Sequence, residues 1–246
     1  MIGRLILFPV GIGHDDLSRS LPSWNSTLLD RCKGFIVEER RTARRFLRAA
    51  GFGGSLDDEL FFVLDEHTVS RWSEEQMAFE RWMAGLSDGC AVGLLSEAGL
   101  PCVADPGALA VGWAHLHGVT VTPLVGPSSL MLALMGSGLN GQSFAFNGYL
   151  PVDPTARSRR IRELERRALN ENQTQIFIEA PYRNNQLLDA LCSTCQAQTL
   201  ISIATDLTLE SQQILTHSAA DWQTLKTNVN LHKRNTVFLI GKGQDY

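Results

Sequence analysis

The sequence predicts an α/β fold of two α/β domains, with a parallel sheet in the N-terminal domain and a mixed sheet in the C-terminal domain. Apolar runs rich in Val, Ile, Leu and Phe alternate with helical segments in the first half, as β–α–β units require. Strand-like runs lie closer together in the second half, which favours a mixed sheet. Gly126-Pro127 is the strongest chain breaker near the middle. We therefore expect domains at residues 1–125 and 126–246, with a ligand cleft between them.

Each predicted element rests on an apolar run of strand length or on helical periodicity. In the first domain the expected strands cover residues 5–10, 35–37, 61–64, 91–95 and 119–125, and the expected helices cover 42–50, 73–84 and 108–116. In the second domain the expected strands cover 144–146, 176–179, 200–204, 213–217 and 236–240, and the expected helices cover 128–135, 155–170, 184–192 and 219–225. The helix at 155–170 carries an apolar stripe of Ile161, Leu164 and Ala168.

Composition and charge restrict the class of protein. Hydrophobic residues make up 44% and charged residues 20% of the 246, as in a globular protein with a sizeable core. A net charge of −4 gives no overall attraction to nucleic acid or to a membrane surface. No apolar run approaches the roughly 18 residues of a membrane span, and the N-terminal segment lacks the pattern of a signal peptide. We expect a cytoplasmic protein with no membrane partner.

The cysteine and histidine residues predict no metal site. The five cysteines are odd in number and scattered, which disfavours a disulfide framework. Cys192 and Cys195 have no further zinc ligands nearby, and the six histidines show no metal-binding spacing. A P-loop motif is absent, which excludes P-loop phosphoryl transfer, and without a G-x-S-x-G motif hydrolase chemistry has no support.

Two strands that lie close in sequence end in loops with the composition of binding sites. The strand at 91–95 is followed by acids, glycines and prolines at 96–107, and the strand at 119–125 is followed by Gly126-Pro127-Ser128-Ser129. Ligands bind at the carboxyl ends of parallel strands, so these loops predict a small-molecule site. The backbone N–H groups at the helix start near Ser128 can bind a carboxylate or a phosphate. Alternatively, the serine side chain caps the helix.

Arginines are clustered although the whole chain is acidic. Arg41, Arg44, Arg45 and Arg48 share one helical face, as do Arg159, Arg162 and Arg166. Such faces suit a polyanion such as RNA, and they also occur as merely solvated surfaces. The strand exit at 179–183 carries Glu179, Tyr182 and Arg183, which is typical either of a functional site or of a structural ion pair.

Five segments in a fixed order carry a resemblance to a known family. They are Ile36-Val37-Glu38-Glu39-Arg40-Arg41-Thr42, Leu95 to Pro101 with Asp105-Pro106-Gly107, Gly126 to Ser129 with Ser137-Gly138-Leu139, Phe144 to Pro151, and Ile178 to Arg183. Together they resemble the tetrapyrrole (corrin and porphyrin) methylase superfamily, and within it the ribosomal RNA small subunit methyltransferase I branch. Tyr182 stands where that branch carries a histidine, and Glu97 stands where it carries an aspartate.

The resemblance implies a class III methyltransferase-like fold, S-adenosylmethionine in the cleft between the domains, and a homodimer. It implies an RNA substrate methylated at a ribose 2′-hydroxyl, with small-subunit rRNA as the candidate RNA. The alternatives are carbon methylation of a tetrapyrrole or another small molecule, and a noncatalytic protein that binds S-adenosylmethionine. The cofactor-binding residues carried over by motif are Pro9, Ser96, Glu97, Gly99, Leu100, Asp105, Ser128, Ser129, Ala204 and Leu207.

A hydroxyl nucleophile needs a proton acceptor. The candidate acceptors are the carboxylates Glu38, Glu39, Glu97, Asp105 and Glu179. Arg41, Arg44 and Arg183 are expected to hold an anionic substrate. The predicted catalytic set consists of Glu38, Glu39, Arg41, Glu179 and Arg183.

Overall fold

A computed structural model describes residues 2–14 and 16–243 and confirms the predicted fold class. The chain divides into two compact units, the first ending at Ser128 and the second beginning at Ser129. Each unit contains one five-stranded sheet with helices packed against it. Within the described residues, no helix combines the length and apolarity that crossing a bilayer requires.

The first unit contains an all-parallel sheet. Its strands are β1 (Arg4–Phe8), β2 (Cys32–Val37), β3 (Phe61–Val63), β4 (Ala91–Leu95) and β5 (Thr120–Pro123), in the order β3-β2-β4-β1-β5. Its helices are α1 (Ser23–Ser26), α2 (Arg40–Ala49), α3 (Glu66–Ser70), α4 (Trp72–Ala84) and α5 (Ala108–Leu116). Parallel strands end at the same edge, so the loops after β1, β2, β4 and β5 gather there.

The first sheet is buried on both faces, which explains its nearly continuous apolar strands. Successive side chains of β1 point to opposite faces. Leu5 and Leu7 therefore join a core that includes Phe79 of α4, whereas Ile6 and Phe8 join a core that includes Leu47 of α2. Strand β5 ends two residues earlier than predicted, and Val125 is exposed rather than part of a buried strand.

The second unit contains a mixed sheet. Its strands are β6 (Phe144–Tyr149), β7 (Thr174–Ile178), β8 (Leu200–Thr205), β9 (Gln213–Ser218) and β10 (Thr236–Gly241), in the order β6-β7-β10-β8-β9. Only the β6–β7 pair among these neighbours is parallel. The helices are α6 (Ser129–Ser137), α7 (Pro154–Asn170), α8 (Asn184–Thr194) and α9 (Ala219–Leu225).

Helix α7 shows why the sequence folds this way locally. The Asp153 side chain accepts a hydrogen bond from the Ala156 N–H at 2.8 Å and caps the helix. Pro154 occupies the first helical turn, where its missing N–H costs nothing. The predicted stripe of Ile161, Leu164 and Ala168 is fully buried. The opposite face exposes Arg159, Arg162 and Arg166 to solvent.

Candidate functional site

Three loops of the first unit meet at the carboxyl edge of the parallel sheet. Val10, after β1, and Gly99, after β4, exchange two backbone hydrogen bonds, with N···O distances of 2.8 and 3.1 Å. Gly99 adopts φ +74°, a conformation that favours glycine. A Cβ atom placed on Gly126, after β5, would lie 2.1 Å from the Cβ of Pro9. At Gly126 the backbone therefore lies closer to the Pro9 ring than a side chain would allow.

The loop after β4 is wound around one carboxylate. Asp105 accepts hydrogen bonds from the N–H of Cys102, at 2.8 and 2.9 Å, and from the N–H of Gly107 at 2.7 Å. Burial raises the pKa of Asp105, while these N–H donors act in the opposite direction. Ser96 is buried at the start of the same loop, and its hydroxyl donates to the Gly99 carbonyl at 3.2 Å. Asp105 and Ser96 thus fix the shape of the loop that contains Gly99 and Leu100.

Glu38 and Glu97 are joined through the backbone. Glu38, at the end of β2, accepts a hydrogen bond from the Glu97 N–H at 3.2 Å. The Glu97 carboxylate in turn accepts one from the Thr42 hydroxyl at 2.6 Å. Glu38 is half-buried, and this burial raises its pKa, with further increases from the nearby charges of Asp105, Glu97 and Glu66. A carboxylate with a raised pKa is the better proton acceptor near neutral pH.

Glu39 is engaged in capping helix α2. Its two carboxylate oxygens accept hydrogen bonds from the N–H groups of Arg41, at 2.7 Å, and Thr42, at 2.8 Å. These bonds lower the pKa of Glu39. The carboxylate is thereby held in its ionised form by the helix start, and Arg41 beside it is exposed. Of the two carboxylates that the predicted catalytic set places in the first unit, Glu38 therefore has the environment of a base and Glu39 does not.

A cavity of about 430 Å³ opens beside the Glu97 carboxylate. The loop after β1, helix α2 and the loop after β4 supply its walls: Val10, Gly11, Gly13, His14, Leu17, Thr42, Ala43, Arg45, Phe46, Ala49, Leu95, Ser96, Glu97 and Ala98. Ser96 and Glu97 are predicted cofactor residues, whereas His14, Thr42 and Phe46 were not predicted. A signal for Thr42 was present, because it lies in the segment from Ile36 to Thr42 that carries the family resemblance. The volume suits a small organic ligand.

The arginine face of α2 is not uniform. Arg44 pairs with Asp58, donates from Nε to the Leu56 carbonyl at 2.9 Å, and lies 5.3 Å from the ring centroid of Phe61. Arg45 instead is exposed and lines the cavity. The Arg44 guanidinium is thus engaged in the fold, and the expectation that it holds an anionic substrate stays a prediction.

The predicted residues of the second unit lie at the ends of its strands. Glu179 follows β7, its side chain is fully buried, and it accepts two hydrogen bonds from Arg183, at 2.9 and 2.6 Å. This is the structural ion pair that the sequence left open. Ala204 and Leu207 are buried in the core beneath α6, so any ligand contact there involves the backbone. Ser129 begins α6.

No family model matches the chain. The Ribosomal RNA small subunit methyltransferase I of Xylella fastidiosa (strain Temecula1) is 35% identical over 171 residues, which are 70% of this chain and 61% of that protein. The protein of the same name from Neisseria meningitidis serogroup B is 27% identical over 242 residues, which are 98% of this chain and 76% of that protein. The chain thus spans less than two thirds of the Xylella relative.

Solved structures show the same fold. The uroporphyrin III C-methyl transferase from Thermus thermophilus superposes with a TM-score of 0.56 at 16% identity, over 97% of each chain. A conserved hypothetical protein from Aeropyrum pernix K1 superposes with a TM-score of 0.66 at 16% identity, over 99% of this chain and 86% of that one. The comparisons confirm the resemblance in sequence to the ribosomal RNA small subunit methyltransferase I proteins, and a likeness in fold to a uroporphyrin III C-methyl transferase.

Proposed function

We propose that this chain, a relative of the ribosomal RNA small subunit methyltransferase I proteins, is an S-adenosylmethionine-dependent methyltransferase that acts on RNA. The observation that carries the proposal is the junction of three loops at the carboxyl edge of the parallel sheet. There Pro9 contacts Gly126, and Val10 is bonded to Gly99. In open parallel sheets this edge is where ligands bind.

The residues present fit a bound nucleoside cofactor. Gly99 and Gly126 bring bare backbone to the junction, and the adjoining cavity of about 430 Å³ has both polar and apolar walls. The proposed cofactor contacts of the first unit are Pro9, Ser96, Glu97, Gly99, Leu100, Asp105 and Ser128. For the second unit, the resemblance supports contacts at Ser129, Ala204 and Leu207, the latter two through the backbone because their side chains are buried.

The cofactor, when bound, supplies a methyl group already activated on a sulfonium. The protein then mainly has to align the nucleophile, the methyl group and the sulfur, and such alignment can lower the activation barrier by about 7–11 kcal/mol. A ribose 2′-hydroxyl must in addition lose its proton, and we assign that proton to the Glu38 carboxylate. Its half-burial and raised pKa suit the role, whereas Glu39 is engaged in capping and Glu179 in its pair with Arg183.

Substrate and assembly are part of the same proposal. The names of the curated relatives support small-subunit rRNA as the substrate. The exposed arginines Arg41, Arg45 and Arg48 supply local positive charge for a phosphate backbone although the net charge of the chain is −4. By the same resemblance we propose that the protein acts in the cytoplasm as a homodimer.

Two measurements test the function. Calorimetric titration with S-adenosylhomocysteine should show binding, and an absence of heat at saturating nucleoside would contradict the cofactor assignment. Small ribosomal subunits from a strain lacking the methylation should then accept label from methyl-labelled S-adenosylmethionine. A 2′-O-methylated linkage resists alkaline hydrolysis, because cleavage needs the free hydroxyl, so the label should remain in an alkali-resistant dinucleotide. Label on a tetrapyrrole instead, or cofactor binding without transfer to any acceptor, would favour the two alternative functions.

A further inference from the structure

Two exposed tyrosines of the second unit flank one arginine. Tyr149, at the end of β6, is 63% exposed, and Tyr182, after β7, is 61% exposed. The Arg183 guanidinium lies 5.2 Å from the ring centroid of Tyr182 and donates from Nη1 to its hydroxyl at 3.3 Å. Tyr149 pairs with Ile178, the last residue of β7, and the turn that carries Tyr182 and Arg183 begins three residues later, so the three residues lie at the same end of the β6–β7 pair. We call Tyr149, Tyr182 and Arg183 the tyrosine platform.

The platform is held rigidly from below. The fully buried Glu179 accepts two hydrogen bonds from Arg183, and the Arg183 N–H donates to the Ala180 carbonyl at 2.8 Å. The Pro181 carbonyl accepts from the Lys233 N–H at 3.0 Å. Asn184, also fully buried, donates to the Arg234 carbonyl at 2.7 Å. These bonds fix the turn that carries Tyr182, while the ring of Tyr182 stays exposed.

We propose that the tyrosine platform stacks an unpaired nucleobase of the RNA substrate. Every nucleobase presents a π-face to an aromatic ring or to a guanidinium plane, so such surfaces bind unstacked bases with little sequence preference. Positive charge for an adjoining phosphate comes from Lys233, which is exposed and whose N–H donates to the Pro181 carbonyl. The inference deepens the proposed function and rests on it for the identity of the partner.

Measurement of RNA binding in the absence of cofactor tests the tyrosine platform. The probes are a short fluorescein-labelled single-stranded oligoribonucleotide and the same strand annealed into a duplex, with fluorescence anisotropy as the readout. Tyr149→Ala and Tyr182→Ala should each lower single-strand affinity about tenfold, with duplex affinity unchanged. Tyr182→Phe should keep most of the affinity, because stacking uses the ring. Phe144→Ala, at the other end of β6, removes an exposed aromatic outside the platform and should change neither.

Several results would overturn the proposal that the tyrosine platform stacks a nucleobase. They are wild-type affinity in both alanine variants, an equal loss for single strand and duplex, or no binding of single-stranded RNA by the wild type. A change of mass by light scattering in the alanine variants would assign the surface to contact between copies of the chain instead. Titration of the same variants with S-adenosylhomocysteine separates the two proposals. Cofactor binding without methyl transfer would refute the proposed function, whereas the platform is judged on RNA binding alone.

Discussion

Replacing Gly126 by alanine tests the loop junction at its tightest point. The added methyl group would lie 2.1 Å from the Cβ and 2.5 Å from the Cγ of Pro9, where ordinary contact begins near 3.4 Å. The proline ring must therefore move by about 1.3 Å, the difference between these distances. Pro9 cannot rotate away, because its ring is closed on the backbone. Overpacking of this kind costs about 1–3 kcal/mol, so we expect Gly126→Ala to lower the free energy of unfolding by that amount.

The same displacement should weaken binding of the cofactor, since Pro9 is a proposed cofactor contact. A shift of this size in a binding loop should reduce affinity for S-adenosylhomocysteine about tenfold or more. Urea denaturation measures the stability, and calorimetry measures the affinity. Gly112→Ala is the matched control, because Gly112 lies inside α5 with open space around its Cβ position, and alanine should stabilise that helix by about 0.5–1 kcal/mol. Wild-type stability and affinity in Gly126→Ala would refute the reasoning.

Three further predictions concern the carboxylates and arginines of the first unit. Burial raises the pKa of Glu38, so its ionisation costs stability as pH rises through that raised pKa. Glu38→Gln should therefore equal the wild type in stability in acid and exceed it at neutral pH, and it should slow methyl transfer by about 10²-fold or more. A Glu38→Gln variant less stable than the wild type at neutral pH would contradict this. Thr42→Val removes the 2.6 Å hydrogen bond to Glu97 and should cost about 1 kcal/mol in urea denaturation, whereas Thr42→Ser should not. Arg44→Ala should mainly destabilise the fold. Arg45→Ala should mainly weaken RNA binding and reduce the slope of log K against log salt concentration by about 0.7. Equal effects of the two variants on RNA binding would support Arg44 as a substrate contact.

The parts of the structure that depend on local sequence were predictable. Helices α5 and α9 occupy the predicted residues, because apolar periodicity and the flanking breakers lie within a few residues of each end. The convergence of the loops around Pro9 and Gly99 also followed, since parallel strands share their carboxyl edge. The fold class was predictable because the alternation of strands and helices is itself a local property of the sequence.

Features that depend on distant partners could not be predicted. Arg44 has the spacing of a surface arginine, but its partner Asp58 lies in a loop beyond the helix, and no periodicity reveals such a pair. The capping by Glu39 is local, since its partners lie two and three residues ahead, but it was not predicted because that position is usually taken by shorter polar residues. Ala204 lies in a strand whose inward face is set by α6, so burial of its side chain was not visible beforehand.

The reciprocal bonds between Val10 and Gly99 have a consequence for motion. Neither loop can detach from the other without breaking both hydrogen bonds, so the two amides should become accessible to solvent in a single opening event. Their hydrogen-exchange rates should therefore rise and fall together. A molecule that holds only one of these loops would slow exchange at both, and strands far apart in the chain would respond as one unit.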